Sequence, residues 1–325
     1  MSMDIKLFTH AFLGRARTLK AIHSSDHLVL GPWISEVGPE VQYWIPFLQQ
    51  LIDTHHLRKE NLTVISRGGT ALWYKNVTDR YLDVFDYMSL EEFRVLDAQR
   101  KRRKHLRIGE LDRVILERAS RDLGQHYGLV HPSFMNRMFA PFWCREKAYK
   151  FIKPWMRCMR VPMPDFDPLA LNLPQRYIAA KFYFSENFPN TEKNKNIVAS
   201  LLKKISKRIS IVLLDTGFTV DDHREDYSAL HDSNIFTIRD HVDPRNNLDI
   251  QTRVLSHAEA FIGTYGGFSC IAPLYGVPSF ALYSENRFPR SHMDVAQRVY
   301  SHPPFASYIV LDIKDIENIE RIFSL

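Results

Sequence analysis

From residue 176 onward short apolar runs and amphipathic stretches take turns, and that alternation leaves few folds open. RYIAAKFYFS, ISIVLLDTG, NIFTIRD, AFIGTYGG, PSFALYS and YIVLDI each carry an apolar run of strand length that ends in turn residues. Between them lie TEKNKNIVASLLKKISKR, LDIQTRVLSHAEA, FSCIAPLYG and HMDVAQRVY, and IKDIENIERIFSL reads as a closing helix. In the first of these Ile197, Leu201 and Ile205 share one helical face among lysines. Strands that are apolar on both faces, separated by helices, predict a parallel sheet covered on both sides.

The first half follows the same logic less regularly. HLVLGPW reads as a strand running into a turn. In EVGPEVQYWIPFLQQLIDTHHL the residues Val37, Val41, Trp44, Ile45, Leu48, Leu51 and Ile52 keep helical spacing, with Pro39 in an early turn and Pro46 inside, where it should kink the helix. NLTVISRGG and YLDVFDYMS predict two more strands, and helical segments follow at roughly 90–104, 109–123 and 132–152. Residues 153–175 carry five prolines and no periodicity, the character of a linker. The expected organisation is an N-terminal Rossmann-like domain over 1–152, a Pro-rich linker over 153–175 and a C-terminal Rossmann-like domain over 176–325. The fold class is α/β, with the two domains expected to face a cleft.

Composition narrows the function classes. The chain is 45% hydrophobic and 25% charged, as soluble globular proteins are, and has no apolar run long enough to span a membrane. MSMDIKLFTHAFLGRARTLK has charges throughout and no h-region, so a cytoplasmic chain is expected. Cys144, Cys158 and Cys270 share no metal-ligand spacing and read as reduced packing thiols. Lys and Arg number 43 against 37 acidic residues, a balance of +6 that suits an anionic ligand, an anionic membrane surface or nucleic acid. The one dense basic run, QRKRRKHLR at 99–107, is a solvated helix face or a contact for a membrane surface or an acceptor phosphate.

The chemistry-bearing stretch is TYGGFS. A strand ends there, Gly266 and Gly267 leave the main chain bare, and a helix begins near Ser269. Such a turn lets a phosphate approach helix N-terminal amides, with Thr264 and Ser269 as hydroxyl donors; a purely structural turn is the competing reading. Asp165 and Asp167 form an Asp-x-Asp within the Pro-rich stretch, away from any strand end. His223, His231, His241 and His257 lack paired spacing on one helix face, though His241 and His257 could touch a ligand. Nucleophile-elbow, Walker and dinucleotide glycine patterns are missing from the sequence.

HAEAFIGTYGGFSCIAPLYGVPSFALYSE resembles the donor-binding segment of GT-B fold glycosyltransferases. The resemblance covers roughly 176–325. It implies that Gly266, Gly267 and Ser269, with Tyr265 beside them, line the donor diphosphate and that Glu285 holds the ribose. It makes Lys181 a candidate for neutralising the leaving group, and Asp215, Gly217, Arg239 and Asp240 candidates for donor contact. LVLGPWISEVGPEVQYWIPFL is similar to the first turn of heptosyltransferase-type enzymes, which implies Glu36 as general base; a helix-capping charge is the alternative. Gly31 and Gly38 in that loop, with Arg67 and Gly68 after the second strand, are candidates for acceptor or phosphate contact, and a structural turn serves equally for the latter pair.

The function these readings imply is a glycosyltransferase, independent of metal and cofactor. It would move a sugar from a nucleotide-sugar donor to a glycan or lipid-linked acceptor in cell-surface polysaccharide assembly, at the inner face of a membrane. A nucleotide-sugar epimerase or pyruvyl transferase on a similar scaffold is the nearest alternative. A basic nucleic-acid binder using 99–107 and 191–208 is the more distant one, since aromatics do not interleave with the basic residues and no helix-turn-helix or zinc pattern occurs.

Overall fold

The computed structural model describes residues 3–315 except 101–104, 125, 146–148, 221–224, 228–229 and 231. The chain divides into two units, Met1–Val161 and Pro162–Leu325. The division falls inside the stretch expected to be a linker, and each side of it is packed. Met156 and Val161 are buried in the first unit, where the Arg157 N–H donates to the Pro46 carbonyl. In the second unit Arg253 donates to the Asp165 carbonyl and Phe166 lies against His257.

In the first unit α1 (Met3–Ser24) precedes β1 (Leu28–Leu30), α2 (Val37–Pro39), a π-helical turn Glu40–Trp44 and α3 (Ile45–His55). There follow β2 (Leu62–Ser66), β3 (Arg80–Asp83), α4 (Leu90–Arg100), α5 (Glu110–Arg118), α6 (Ser120–Leu123), β4 (Gly128–Val130), α7 (Pro132–Met138) and α8 (Ala140–Arg145). The four strands are parallel in the order β3-β2-β1-β4. Two elements have no counterpart in the sequence reading. β4 is a three-residue strand, too short to show a period. α1 presents mixed faces and is held by tertiary contact: a Cβ at Gly14 would stand 2.5 Å from the Phe134 carbonyl oxygen, and one at Gly128 would stand 2.2 Å from that of Ala21.

The kink expected at Pro46 takes another form. Pro46 lies inside a continuous helical run, and the distortion lies just upstream, where Ile45 N–H reaches back to the Glu40 carbonyl in a π-turn. The π-turn changes the helical phase at the residues that carry Glu40.

The second unit contains β5 (Tyr177–Lys181), α9 (Glu192–Ser206), β6 (Ser210–Leu213), β7 (Ile235–Thr237), α10 (Asn247–Ser256), β8 (Ala260–Thr264), α11 (Gly267–Leu274), β9 (Ser279–Tyr283), α12 (Arg290–Tyr300) and β10 (Tyr308–Asp312). All pairings are parallel, in the order β10-β9-β8-β5-β6-β7. Chain progression reverses between β5 and β8, the topological switch point of a doubly wound sheet. Ile178, Ala180, Leu201, Ile211, Ile262 and Leu282 form the core beneath it. The closing helix expected after Ile313 falls mostly outside the described residues, as do His223 and His231.

Candidate active site at the strand ends

At the switch point Lys181 of β5 pairs with Gly263 of β8, and a Cβ at Gly263 would lie 2.2 Å from the Lys181 carbonyl oxygen. One step further the Thr264 hydroxyl accepts from Tyr183 N–H and donates to the Tyr183 carbonyl, both at 3.1 Å. This side chain, expected to face a phosphate, instead extends the β5–β8 pairing by one rung.

Gly266 caps α11 in extended backbone that any residue could adopt. Its need for bare backbone comes from elsewhere: a Cβ there would stand 1.7 Å from the Tyr183 hydroxyl oxygen. Close approach of Tyr183 thus accounts for this glycine. Ser269, also expected at the phosphates, is fully buried; its Oγ accepts from Gly266 N–H at 3.2 Å and donates to the Gly266 carbonyl at 2.7 Å. It closes the turn on itself. Gly267 opens α11, whose first-turn amides lie at the positive end of the helix dipole.

Lys181 is buried. Its Nζ donates to the Leu214 carbonyl at 2.8 Å and to Glu225 Oε1 at 2.5 Å, and lies 4.8 Å above the Phe268 ring. The charge expected to meet a leaving group is paired inside the unit. Asp215, at the end of β6, accepts Gly217 N–H at 3.0 Å through one oxygen, and through the other both Arg239 Nε at 3.0 Å and Nη2 at 2.6 Å. Gly217 has φ of +70°, and the Arg239 side chain lies where its Cβ would be. Arg239 and Asp240 are exposed past the end of β7.

Tyr265 packs its ring 4.5 Å from that of Phe288, and burial pushes its hydroxyl pKa up. Ser284 and Glu285 donate their N–H groups to the Asn187 carbonyl, each at 3.0 Å, leaving the Glu285 carboxylate exposed. His257 Nδ1 lies 3.1 Å from both Ser256 Oγ and the Arg253 carbonyl, so it holds the end of α10.

In the first unit Gly31 takes φ of +130°, and a Cβ there would be 2.4 Å from the Ile65 carbonyl oxygen. Packing against β2 thus accounts for this glycine. Glu36 is exposed at the N-cap of α2 and makes no side-chain cap bond, so only its charge can act on the helix end. Gly38 is half-buried within α2. Arg67 is buried and donates to the Ser35 carbonyl, tying the end of β2 to the Glu36 loop. Gly68 and Gly69 follow in left-handed backbone, with φ of 74° and 81°, and Gly69 N–H reaches Asp83 Oδ2 at 2.7 Å.

The sequence reading passed over Glu40. This carboxylate is 0% exposed. Ser66 Oγ and Tyr74 Oη both donate to its Oε1 at 2.6 Å, and its Oε2 is buried with no hydrogen-bond partner. Burial raises its pKa to about 7, against the pull of the Ser66 and Tyr74 hydrogen bonds and nearby Arg67, with Asp83 adding to the rise. Burial also raises the pKa of Asp83. A signal existed: Glu40 shares a helical face with Trp44, Phe47 and Leu51, so the pattern turns a carboxylate inward.

His105, Asp112 and His131 form a further buried group, with one donor atom from each within 4.8 Å of the others. Two of the three, His131 and Asp112, cap the N-termini of α7 and α5. His131 Nδ1 accepts Ser133 N–H at 3.1 Å, its Nε2 lies 3.0 Å from Asp112 Oδ1, and Asp112 Oδ2 accepts Gly109 N–H at 2.6 Å. Asp167 similarly accepts Leu169 N–H, so that part of the Asp-x-Asp pair serves a turn.

No family model matches the sequence, and no curated protein matches it. Among solved structures the chain is similar to the E. coli heptosyltransferase WaaC with ADP, at 13% identity and a TM-score of 0.46 over 91% of this chain and 99% of that one. It is also similar to E. coli ADP-heptose LPS heptosyltransferase II, at 11% identity and 0.46 over 92% and 99%. The UDP-GlcNAc 2-epimerase of Methanocaldococcus jannaschii gives 12% and 0.38 over 92% and 99%.

Proposed function

We propose that this chain is a metal-independent glycosyltransferase that uses a nucleotide-sugar donor. The observation that carries the reading is the strand order of the second unit: it sets the Tyr265–Gly267 turn and the α11 N-terminus at the switch point, where doubly wound sheets receive phosphate ligands. Arg239, held by Asp215, is an exposed cation at the same strand ends, and Asp240 and Glu285 are exposed carboxylates suited to sugar hydroxyls. Lys181 would join them only by leaving Glu225.

In such a transfer the acceptor oxygen bonds to the anomeric carbon, the bond from that carbon to the diphosphate breaks, and the acceptor's proton passes to a base. The departing diphosphate gains charge that helix amides and an arginine stabilise. Glu36 and Glu40 are the two carboxylates of the β1–α3 connection. Glu36 is exposed and keeps the position that the sequence resemblance implies, so it can reach an acceptor hydroxyl. Glu40, with its pKa raised to about 7, is fully buried and could act only if the loop that covers it opened. We take the acceptor to be a glycan or lipid-linked glycan at the inner face of a membrane.

The test is thermal unfolding with UDP, GDP, ADP, CMP and their sugar conjugates in the presence of EDTA. A nucleotide at a hundred times its Kd adds about 2.7 kcal/mol of stability. One base class raising the Tm supports the reading and names the donor. Silence from all of them at millimolar concentration would falsify it.

A further inference from the structure

α1 buries its small residues and exposes its large ones. Gly14, Thr18 and Ala21 face inward, with Gly14 close against the Phe134 backbone and the Thr18 hydroxyl turned back to the Gly14 carbonyl at 3.0 Å. On the other side Phe12 is 71% exposed, Phe8 57% and Leu13 40%. Phe8 and Phe12 are neighbours one turn apart, and Ala16 continues their face. A helix fixed only for packing would show the reverse distribution.

Charge on the following turns narrows the occupant. Arg17 and Lys20 are exposed there, and no carboxylate occurs between residues 7 and 24. An aromatic patch leading into cations matches the lipid–water boundary of an anionic bilayer: rings enter the acyl margin while basic side chains meet phosphates.

We propose that the exposed face of α1 is a docking surface for an anionic membrane, the rings of Phe8 and Phe12 inserting and Arg17 and Lys20 contacting lipid headgroups. The inference deepens the membrane-face part of the proposed function and uses no residue assigned to donor or acceptor, so vesicle binding and nucleotide binding are tested separately.

The experiment is co-sedimentation of the full chain with phosphatidylcholine vesicles, with and without phosphatidylglycerol. Binding is expected only to the anionic vesicles, weakening with added salt. The double variant Phe8→Ser/Phe12→Ser should lower the partition coefficient about tenfold or more, and Arg17→Glu/Lys20→Glu should remove the dependence on phosphatidylglycerol. Because all four side chains are exposed, far-UV circular dichroism and the Tm should stay as in the parent. Absence of binding to either vesicle, or binding untouched by the phenylalanine substitutions, overturns the proposal. So does a concentration-dependent dimer in sedimentation velocity that the same substitutions dissolve, for then a second copy covers this face.

Discussion

The Tyr183 hydroxyl oxygen stands 1.7 Å from the point where any side chain at position 266 would place its Cβ. Two residues far apart in the sequence therefore restrict each other, and the restriction can be measured. Gly266→Ala should destabilise the second unit by about 1–3 kcal/mol, the usual cost of overpacking. Tyr183→Phe removes the nearest atom and leaves the ring carbon 3.0 Å away. In that background the alanine should cost less, and urea unfolding of the four proteins gives the coupling. Additive effects would mean the hydroxyl does not occupy this space.

The buried carboxylate of Glu40 gives a dependence on pH. Its folded pKa of about 7 lies above the ordinary 4.5, so between those values the folded chain keeps a proton that the unfolded chain has released. Stability from this group falls as pH rises through that window, by roughly 3 kcal/mol in all, and levels off above it. Glu40→Gln should lack the decline and be the more stable protein at pH 8. Denaturant titrations across pH 5 to pH 8 check this (about one-unit steps suffice), and a parallel slope in both proteins would refute it.

The same substitution separates the two candidate bases. If Glu40 accepts the proton, Glu40→Gln abolishes sugar transfer at saturating donor without changing nucleotide affinity, while Glu36→Gln keeps most of its turnover. The opposite pattern assigns the role to Glu36.

Lys181 and Glu225 form a largely buried pair at 2.5 Å. Glu225→Leu alone leaves a cation in a low-dielectric setting and should cost about 3–5 kcal/mol, whereas Lys181→Met with Glu225→Leu should come close to neutral. Calorimetric unfolding of the three proteins tests it; equal losses in single and double variants would show that the charges are not coupled.

Arg239 offers a test of donor contact, since its side chain is more than half exposed although its guanidinium is paired with the buried Asp215. Arg239→Ala should weaken nucleoside diphosphate binding about tenfold, or roughly 1.4 kcal/mol. It should lower the Tm as well, because it leaves the buried Asp215 carboxylate without its cation; Arg239→Lys, which keeps a charge beside Asp215, separates the two effects. Unchanged affinity by titration calorimetry would take Arg239 out of the site.

Legibility in the sequence followed burial and length. The second unit could be read almost strand by strand, because β5, β6, β8 and β9 are covered on both faces and are written as unbroken apolar runs. β4 and α1 could not: one is too brief to carry a pattern, and the other has its large apolar residues facing outward. The strand-to-helix junction at the glycines is legible in the sequence, whereas the Tyr183 hydroxyl against Gly266 is not, since only the fold brings the two together. Thr264 and Ser269 were misjudged for the same reason: a hydroxyl near a turn bonds to whatever backbone lies closest. Glu40 lies on an inward helical face, but its neighbours Ser66 and Tyr74 come from distant segments, so its burial shows in the pattern while its hydrogen bonds do not.

The clamp between Thr264 and Tyr183 joins residues 81 positions apart. Its formation requires β8 to have docked beside β5, after the whole intervening chain has been gathered in, which makes it a contact of high order and high closure entropy. The turn at Gly266 cannot take shape in a fragment that lacks either strand. Ligand capture at this turn would therefore report on completion of the entire second unit, and a truncated chain that kept the glycine motif but lost Tyr177–Lys181 would be expected to bind nothing.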